Sequence, residues 1–600
     1  MNSTDIPRLV ALRRWLVPAL LLLFASQGLF SMRQKSVTTD EIMYLTAGYY
    51  HLRTGEFGYN RTNPPLTKML TALPLLVLSP DLPAIESDPA TWSEIEQWRY
   101  SRKFLYENRI NADRILFATR LPVLALALIL GLYVQRWARR LYGERAALLS
   151  LFLFAFSPNL LAHARLATQD LALATFGFAA AYHLWRYIEQ PTWRPLLLSA
   201  TYFAVAAATK TTAILLVLPL LLALTLPFLS ASRDSSPGIS AGPLDRIRRP
   251  LPRRLAKIVL TYGVFAICSL SVLNLSYGFE GSFVSAGHYE KARTLEHRLS
   301  TVAPPLAPVF RAGLHLPVPI PEPMIRLIEF QSTRISEGNN VFFHGRLSRE
   351  GWWYVIPVAV LIKTPLPLLL LASLSMGAIV WRRRPLMGEW FLIGTTFFML
   401  ALFAYFKSVS IGLRYVLLIY PCLHVLAGRW LQDGRVLRRG ARVALTLALS
   451  WYLVGAVRTY PHYLPYFNET VGGSRNGYRF LADSFVDWGQ DLPALKIYME
   501  RNGIERIRLA YFGSADATHH GIEYDYLPSV GLAPNGPGQK WWYEPDALPG
   551  ERFDPAGGPI AISATMYNGV FLTGFYEPLH ELEPVAQVGH SILIFDPERR

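Results

Sequence analysis

The chain has 600 residues, 52% of them hydrophobic and only 17% charged, whereas a soluble chain of this length carries about a quarter charged residues. With a mean hydropathy of +0.23, lipid rather than water is its expected main solvent. The net charge of +16 comes in short clusters between apolar runs, a pattern that fixes membrane topology and argues against nucleic-acid binding.

A membrane-spanning helix takes about 20 apolar residues. The first candidate, 15–30, follows Arg8, Arg13 and Arg14. A cleaved signal peptide has the same flanks, and either reading carries residue 32 onward across the bilayer. The stretch 69–78 is apolar but too short to span, so an interfacial or re-entrant piece is expected there. Further spans are expected at 115–134, 146–161, 171–187, 196–208, 212–229, 258–275, 354–381, 390–406, 415–431 and 443–457, about eleven in all. The connector 230–242 is rich in Ser, Pro and Gly and reads as flexible. Cys268 and Cys422 both fall in apolar runs, so neither a disulfide nor a thiolate metal site is expected.

Alternating sides sends every long basic cluster to one face. These clusters are Arg136 to Arg145, Arg233 to Lys257, Arg382 to Arg384 and Arg435 to Arg442, and the positive-inside rule makes that face cytoplasmic. The opposite face receives loops 31–114 and 276–353 and everything after 458. In that last piece LPALKIYMERNG reads as an amphipathic helix, and RIRLAYFG, PIAISATMY and SILIFD read as strands. The expected fold is a polytopic α-helical membrane protein over 1–458, followed by a small mixed α/β extracytoplasmic domain over 459–600.

Ionisable residues gather at the outer helix ends. In SVTTDEIMYLTAGYY, Asp40 and Glu41 would point about 100° apart on a helix. One can serve as a catalytic carboxylate while the other caps or pairs, or T-T-D-E can simply start a helix. Arg61 and Lys68 flank a rigid Asn63-Pro64-Pro65, where Lys68 can reach headgroup phosphates or merely snorkel. Asp170 opens the fourth span with His163 and Arg165 close by, and it can equally complement the helix dipole. Lys210 lies in a short outer turn and Arg414 at an outer helix end. Lys363 lies well inside the eighth span, where an ammonium is a functional candidate by default. Cations that hold a phosphate, beside carboxylates that take a proton, suit an enzyme acting on a phosphate-bearing lipid. They also suit a proton-coupled transporter. No tight acidic, His or Cys cluster is visible, so a divalent metal, held by Asp170 with Asp40, is the less favoured alternative.

The order of these motifs resembles a known family. The acidic pair is followed by N-P-P-L-x-K, by T-R-L-P, by Asp170 and by AATKTTAILLVLP. FFHGRLSREGWWYVIP, SIGLRYVLLIYP, YPHYLPYFNETVGG and DSFVDWGQDL come later. The chain resembles the membrane glycosyltransferases of the GT-C superfamily, in the bacterial branch similar to dolichyl-phosphate-mannose protein mannosyltransferases and lipid A aminoarabinose transferases. The resemblance implies transfer of a sugar from a polyprenyl-phosphate donor to a hydroxyl of a protein, lipid or polysaccharide outside the cytoplasm. It also implies a bacterial inner-membrane location with a cytoplasmic N-terminus. Asp40 maps onto the family's general base, with Glu41 beside it, and Asp170 onto its second acidic position. Lys68, Lys210 and Arg414 are assigned to the donor phosphate, and Arg61, His163, Arg165 and Lys363 complete the substrate-binding candidates. Asn63 departs from the His common before the two prolines. In-line attack would invert the anomeric centre, and no cofactor is expected. A transporter or flippase of a polyprenyl-linked substrate, or a non-catalytic membrane scaffold, is the competing expectation.

Overall fold

The computed structural model describes residues 5–85, 87–216, 251–382, 386–409, 411–530 and 553–598. Its first half runs through α1 (Asp5–Met32), α2 (Glu41–Thr54), α3 (Pro65–Leu78), α4 (Glu94–Tyr106), α5 (Ala112–Tyr142), α6 (Glu144–Ala155), α7 (Pro158–Ala164), α8 (Gln169–Glu189) and α9 (Trp193–Ala207). Local chemistry sets several of these starts. Pro65 opens α3 at the position where a missing N–H costs nothing, and Ser93 with Glu96 forms a capping box on α4.

Among the described residues, five helices are long and apolar enough to cross a membrane: Arg14–Met32, Ala112–Tyr142, Ala256–Ser276, Met387–Tyr405 and Arg439–Thr459. Two bent pairs raise the number to seven if each counts as one span: α6 with α7, at 62°, and Val355–Lys363 with Leu366–Trp381, at 114°. The second pair corrects the continuous span expected at 354–381. Pro365 has no N–H to give and pushes Thr364 into an extended conformation, so the helix ends after Lys363. Pro158 breaks the stretch 146–161 in the same way. Helices α8 and α9 fall on the expected 171–187 and 196–208. The helix Ile419–Gly428 falls within 415–431, and every one of its residues is buried, as suits a helix apolar all round at the centre of a bundle. Beyond a short helix at Thr211–Leu216, the expected span 212–229 lies outside the described residues. So do the connector 230–242, the basic cluster as far as residue 250, and Arg383 and Arg384.

The second long loop carries helices at Glu290–Val302 and Glu322–Glu337 and a hairpin of β1 (Val341–Phe343) and β2 (Arg346–Ser348). After Thr459 come β3 (Arg506–Ala510), β4 (Glu523–Tyr526), β5 (Ile560–Ser563), β6 (Ala586–Val588) and β7 (Ile592–Phe595), in a mixed sheet of order β4-β3-β5-β7-β6. Strand β3 runs parallel to both β4 and β5, and β7 runs antiparallel to β5 and β6. Every residue of β5 and β7 is buried. Ile560, Ile562 and Phe595 belong to the large core of the helix bundle. Ala561, Ile592 and Ile594 share a second core with Ile42 of α2, Phe104 of α4 and Ile115 of α5. The sheet is therefore sealed on both faces and rests on the first loop, where Asp40 lies.

Candidate active site

Asp40 takes the N-cap position of α2, but its side chain makes no capping bond. It accepts instead from Arg414 Nη1 at 2.6 Å and keeps 27% of its side chain exposed. The Arg414 guanidinium lies over the Trp488 ring, 4.3 Å from its centroid, and within 5.5 Å of the Tyr415 centroid. Its Nε is buried without a hydrogen-bond partner. A second pair stands nearby: Asp170, buried in the first turn of α8, accepts from Lys210 Nζ at 2.5 Å. Lys210 in turn lies 4.9 Å from the Tyr415 centroid, so one aromatic ring packs beside the cations of both pairs. Tyr44, on α2, interacts electrostatically with Asp40, Arg414 and Asp170. Burial first, and then Asp40, push its phenol well above the ordinary tyrosine range, which leaves it a hydrogen-bond donor.

Glu41 has a different environment. Its carboxylate is fully buried and accepts from Arg120 Nε (2.9 Å) and Nη2 (2.7 Å), from the Ala167 N–H (2.7 Å), and from the Thr38 N–H and hydroxyl. Burial alone would raise it, but Arg120 and these bonds outweigh burial and hold it below the usual carboxylate range. Arg120, from T-R-L-P, spends its remaining donors on the carbonyls of Met32, Lys35 and Ser36. Both carboxylates of the couple are paired, but Glu41 is fully enclosed whereas Asp40 keeps an exposed edge.

The other sequence candidates divide. Lys68 gives its ammonium to Asn60 and to the Asn63 carbonyl, which pins the Asn63-Pro64-Pro65 turn, and it lies 5.8 Å from the Tyr44 centroid. His163 is buried with Nδ1 unpartnered and interacts with Asp170 and Arg414. Arg165 is 1% exposed, and none of its guanidinium nitrogens has a hydrogen-bond partner. Its electrostatic neighbours are Arg120, Asp491, Tyr463 and Glu41, so it stands with Glu41 rather than with Asp40. Arg61 interacts with Tyr277, Glu280 and Glu322 of the second loop. Lys363 does not lie in mid-helix. It ends the helix at the break and donates to the carbonyls of Leu464, Tyr466 and Phe485 at 3.0, 2.9 and 2.6 Å. With its three donors so occupied, Lys363 stitches the broken helix to the segment after the last span.

That segment is what the sequence reading left without a role. In DSFVDWGQDL, Trp488 supports Arg414, and its carbonyl accepts from the Thr39 N–H at 3.0 Å. Gln490 accepts from Ser36 N–H, and Ser514 Oγ donates to the Thr38 carbonyl. The loop that carries Asp40 is therefore held by residues about 450 positions away. Asp483 sits in the left-handed backbone region at φ 54° and is buried. Burial, opposed by Arg414 and reinforced by Asp40, raises its carboxyl to about 6. Asp491 pairs with Lys35 and accepts from Ser591 Oγ at 2.7 Å. Among the described residues, no three His, Cys, Asp or Glu side chains converge as metal ligands.

Residues 110–236 match the family model of dolichyl-phosphate-mannose-protein mannosyltransferases. Over those residues the match bears out the resemblance to dolichyl-phosphate-mannose protein mannosyltransferases. Among solved structures, ArnT from Cupriavidus metallidurans bound to undecaprenyl phosphate matches with 13% identity, 97% of this chain and 98% of that chain covered, and a TM-score of 0.46. The archaeal oligosaccharyltransferase AglB from Archaeoglobus fulgidus, in complex with an inhibitory peptide and a dolichol-phosphate, gives 14% identity, coverage of 75% of this chain and 55% of that chain, and a TM-score of 0.40. No curated protein sequence matches the chain.

Proposed function

We propose that the chain is a multi-pass membrane glycosyltransferase that moves a sugar from a polyprenyl-phosphate donor to an acceptor hydroxyl, with Asp40 as general base. The observation that carries this reading is the half-open Asp40–Arg414 ion pair beside the closed Asp170–Lys210 pair. A donor phosphate competes with Asp40 for the Arg414 guanidinium, since both are oxyanions that bind it through charge-assisted hydrogen bonds. Donor binding therefore frees the carboxylate when it is needed. The bond between the anomeric carbon and the phosphate oxygen then breaks, and the electron pair leaves on the polyprenyl phosphate, where Arg414 and Lys210 offset the charge. The acceptor oxygen attacks the opposite face through an oxocarbenium-like transition state, its proton passes to Asp40, and the anomeric centre inverts. Asp170 keeps Lys210 in place, and the Tyr44 hydroxyl can donate to a sugar or phosphate oxygen. Cations supply the charge compensation, so the step needs no divalent metal, and transfer is expected to survive chelation with EDTA.

The test incubates purified protein with a panel of polyprenyl-phosphate sugars and acceptor extract, and follows the sugar-free lipid phosphate by mass spectrometry. Release is expected from wild type and a loss of about 10²–10⁴-fold from Asp40→Asn. Normal turnover by Asp40→Asn would remove the base assignment. One observation favours a second reading as a transporter: the two helix breaks lie together, with Asn159 Nδ2 donating to the Lys363 carbonyl at 2.6 Å, and broken helices mark many transporter sites. Movement of labelled lipid across vesicles without change in its mass would select that reading.

A further inference from the structure

A groove of about 680 Å³ lies between the end of α1, the second half of α3 and the first turns of α5. Its floor is apolar and includes Phe117 and Leu121 of α5 and Val77 of α3. Val77 is 88% exposed, and Leu73 and Leu76 beside it are exposed as well. No protein covers this face of α3 among the described residues, so the groove opens sideways onto whatever surrounds the bundle. Two exposed guanidinium groups stand at its mouth. Arg33 follows the last turn of α1 and lies over the Phe117 ring at 5.0 Å, and Arg114 is in the first turn of α5. Neither has a carboxylate within ion-pair distance among the described residues. The carboxylate that shares the lining, Asp113, is turned to His519 at 3.5 Å. The inner wall is Lys35 and Arg120, whose polar ends point away from the groove, to Asp491 and Glu41.

An apolar trough with two unpaired arginines at its rim, at the end of a spanning helix, matches an amphiphile with an anionic head. We infer that this groove binds an anionic glycerophospholipid of the surrounding bilayer, with its phosphate between Arg33 and Arg114 and its acyl chains along Val77, Phe117 and Leu121. Basic residues near a membrane surface attract anionic lipid at about 1 kcal/mol each. These two arginines lie on the side away from the basic clusters, where topology does not call for them. The donor lipid is a poorer occupant. Lys35 and Arg120 close the groove on its inner side and Asp40 does not line it, so a sugar held here would not meet Asp40. The inference rests on the membrane placement in the proposed function but not on its chemistry, and it is read by lipid retention rather than by transfer.

The full chain, in nanodiscs of phosphatidylcholine with phosphatidylglycerol as the minor lipid, is extracted into mild detergent, and the lipids that remain bound are weighed by native mass spectrometry. Wild type is expected to retain phosphatidylglycerol in preference to phosphatidylcholine. The double variant Arg33→Ala/Arg114→Ala is expected to lose that preference by about 25-fold, from two such contacts. Val77→Asp, at a position already exposed, is expected to do the same by repulsion and serves if the double variant does not fold. Equal retention of both lipids by wild type, or undiminished phosphatidylglycerol in the variants, would overturn the inference. A parallel arm with polyprenyl phosphate separates the sources: preferential retention of that lipid would make the groove part of the donor path.

Discussion

Asp40 and Glu41 are neighbours in the chain with the same functional group and opposite surroundings. Glu41 meets a fully matched guanidinium and two backbone N–H groups with no solvent in reach. Asp40 shares one nitrogen of Arg414 and stays partly exposed. The difference follows from which way each turns at the start of α2: Glu41 faces α5 and the loop before α8, and Asp40 faces Arg414, which packs on Trp488 and Tyr415. A saturated pair fixes geometry, whereas a pair with a spare nitrogen and an open edge can exchange partners. The closed pair is therefore the scaffold on which the open one is presented.

Paired substitutions break or sharpen that contrast. Asp40→Asn is expected to remove transfer by about 10²–10⁴-fold and leave the thermal midpoint near that of wild type, because asparagine is isosteric, keeps an oxygen to accept from Arg414 Nη1, and sits at a position partly open to water. Glu41→Ala is expected to do the reverse. Breaking a buried pair leaves Arg120 uncompensated at a cost of about 3–5 kcal/mol, visible as a lower unfolding midpoint and loss of monodisperse protein in gel filtration. Equal midpoints for the two variants would end the division into scaffold and reactive carboxylate. A smaller effect is expected for Lys363→Met, which leaves three carbonyls without their donor but also rids the fold of a buried ammonium: a net loss of about 1–3 kcal/mol in stability with an unchanged KM for donor. A donor KM that rose severalfold would return Lys363 to the binding site.

Much of this arrangement was legible in the chain. Asp40, Asp170, Lys210 and Arg414 were candidates because ionisable residues gather at the helix ends, but local pattern alone left capping and snorkelling open, and their roles came only from the family resemblance. Their pairing was not legible, since Arg414 and Asp40 are 374 positions apart and no periodicity links them. Arg120 was quoted only as part of T-R-L-P, and an arginine near a helix start is commonly read as an interfacial anchor. The break after Lys363 did carry a signal in Pro365 and Pro367, but hydropathy summed across 354–381 hides a bend of 114°. Strands β3, β5 and β7 were legible from pattern, whereas β4, β6 and the hairpin were not, and the end of PIAISATMY turns into a short helix at Ala564–Tyr567; the unbroken apolar run Ile592–Phe595 fits burial on both faces. The identity of the covering surface was not legible, because it comes from α2, α4 and α5 at the other end of the chain.

Asp483 tests the contrast from the far side of the site. Its carboxyl is raised to about 6 by burial, with Arg414 pulling it down and Asp40 pushing it up, whereas an unfolded Asp titrates near 3.9. Between about pH 4 and 6 the folded chain holds this proton and the unfolded chain does not, so stability falls as pH rises through that window and is level above it. The cost of ionising Asp483 in the fold is then at most about 3 kcal/mol. Asp483→Asn removes that cost, keeps an oxygen to accept from the Ser484 N–H, and suits the left-handed backbone as well as Asp does. The variant is expected to match wild type near pH 4 and to become the more stable of the two toward pH 6, measured by thermal unfolding across that range. A variant less stable than wild type at pH 7 would mean that the ionised carboxylate holds Arg414 more tightly than burial opposes it, and Asp483 would then belong with Glu41 as scaffold.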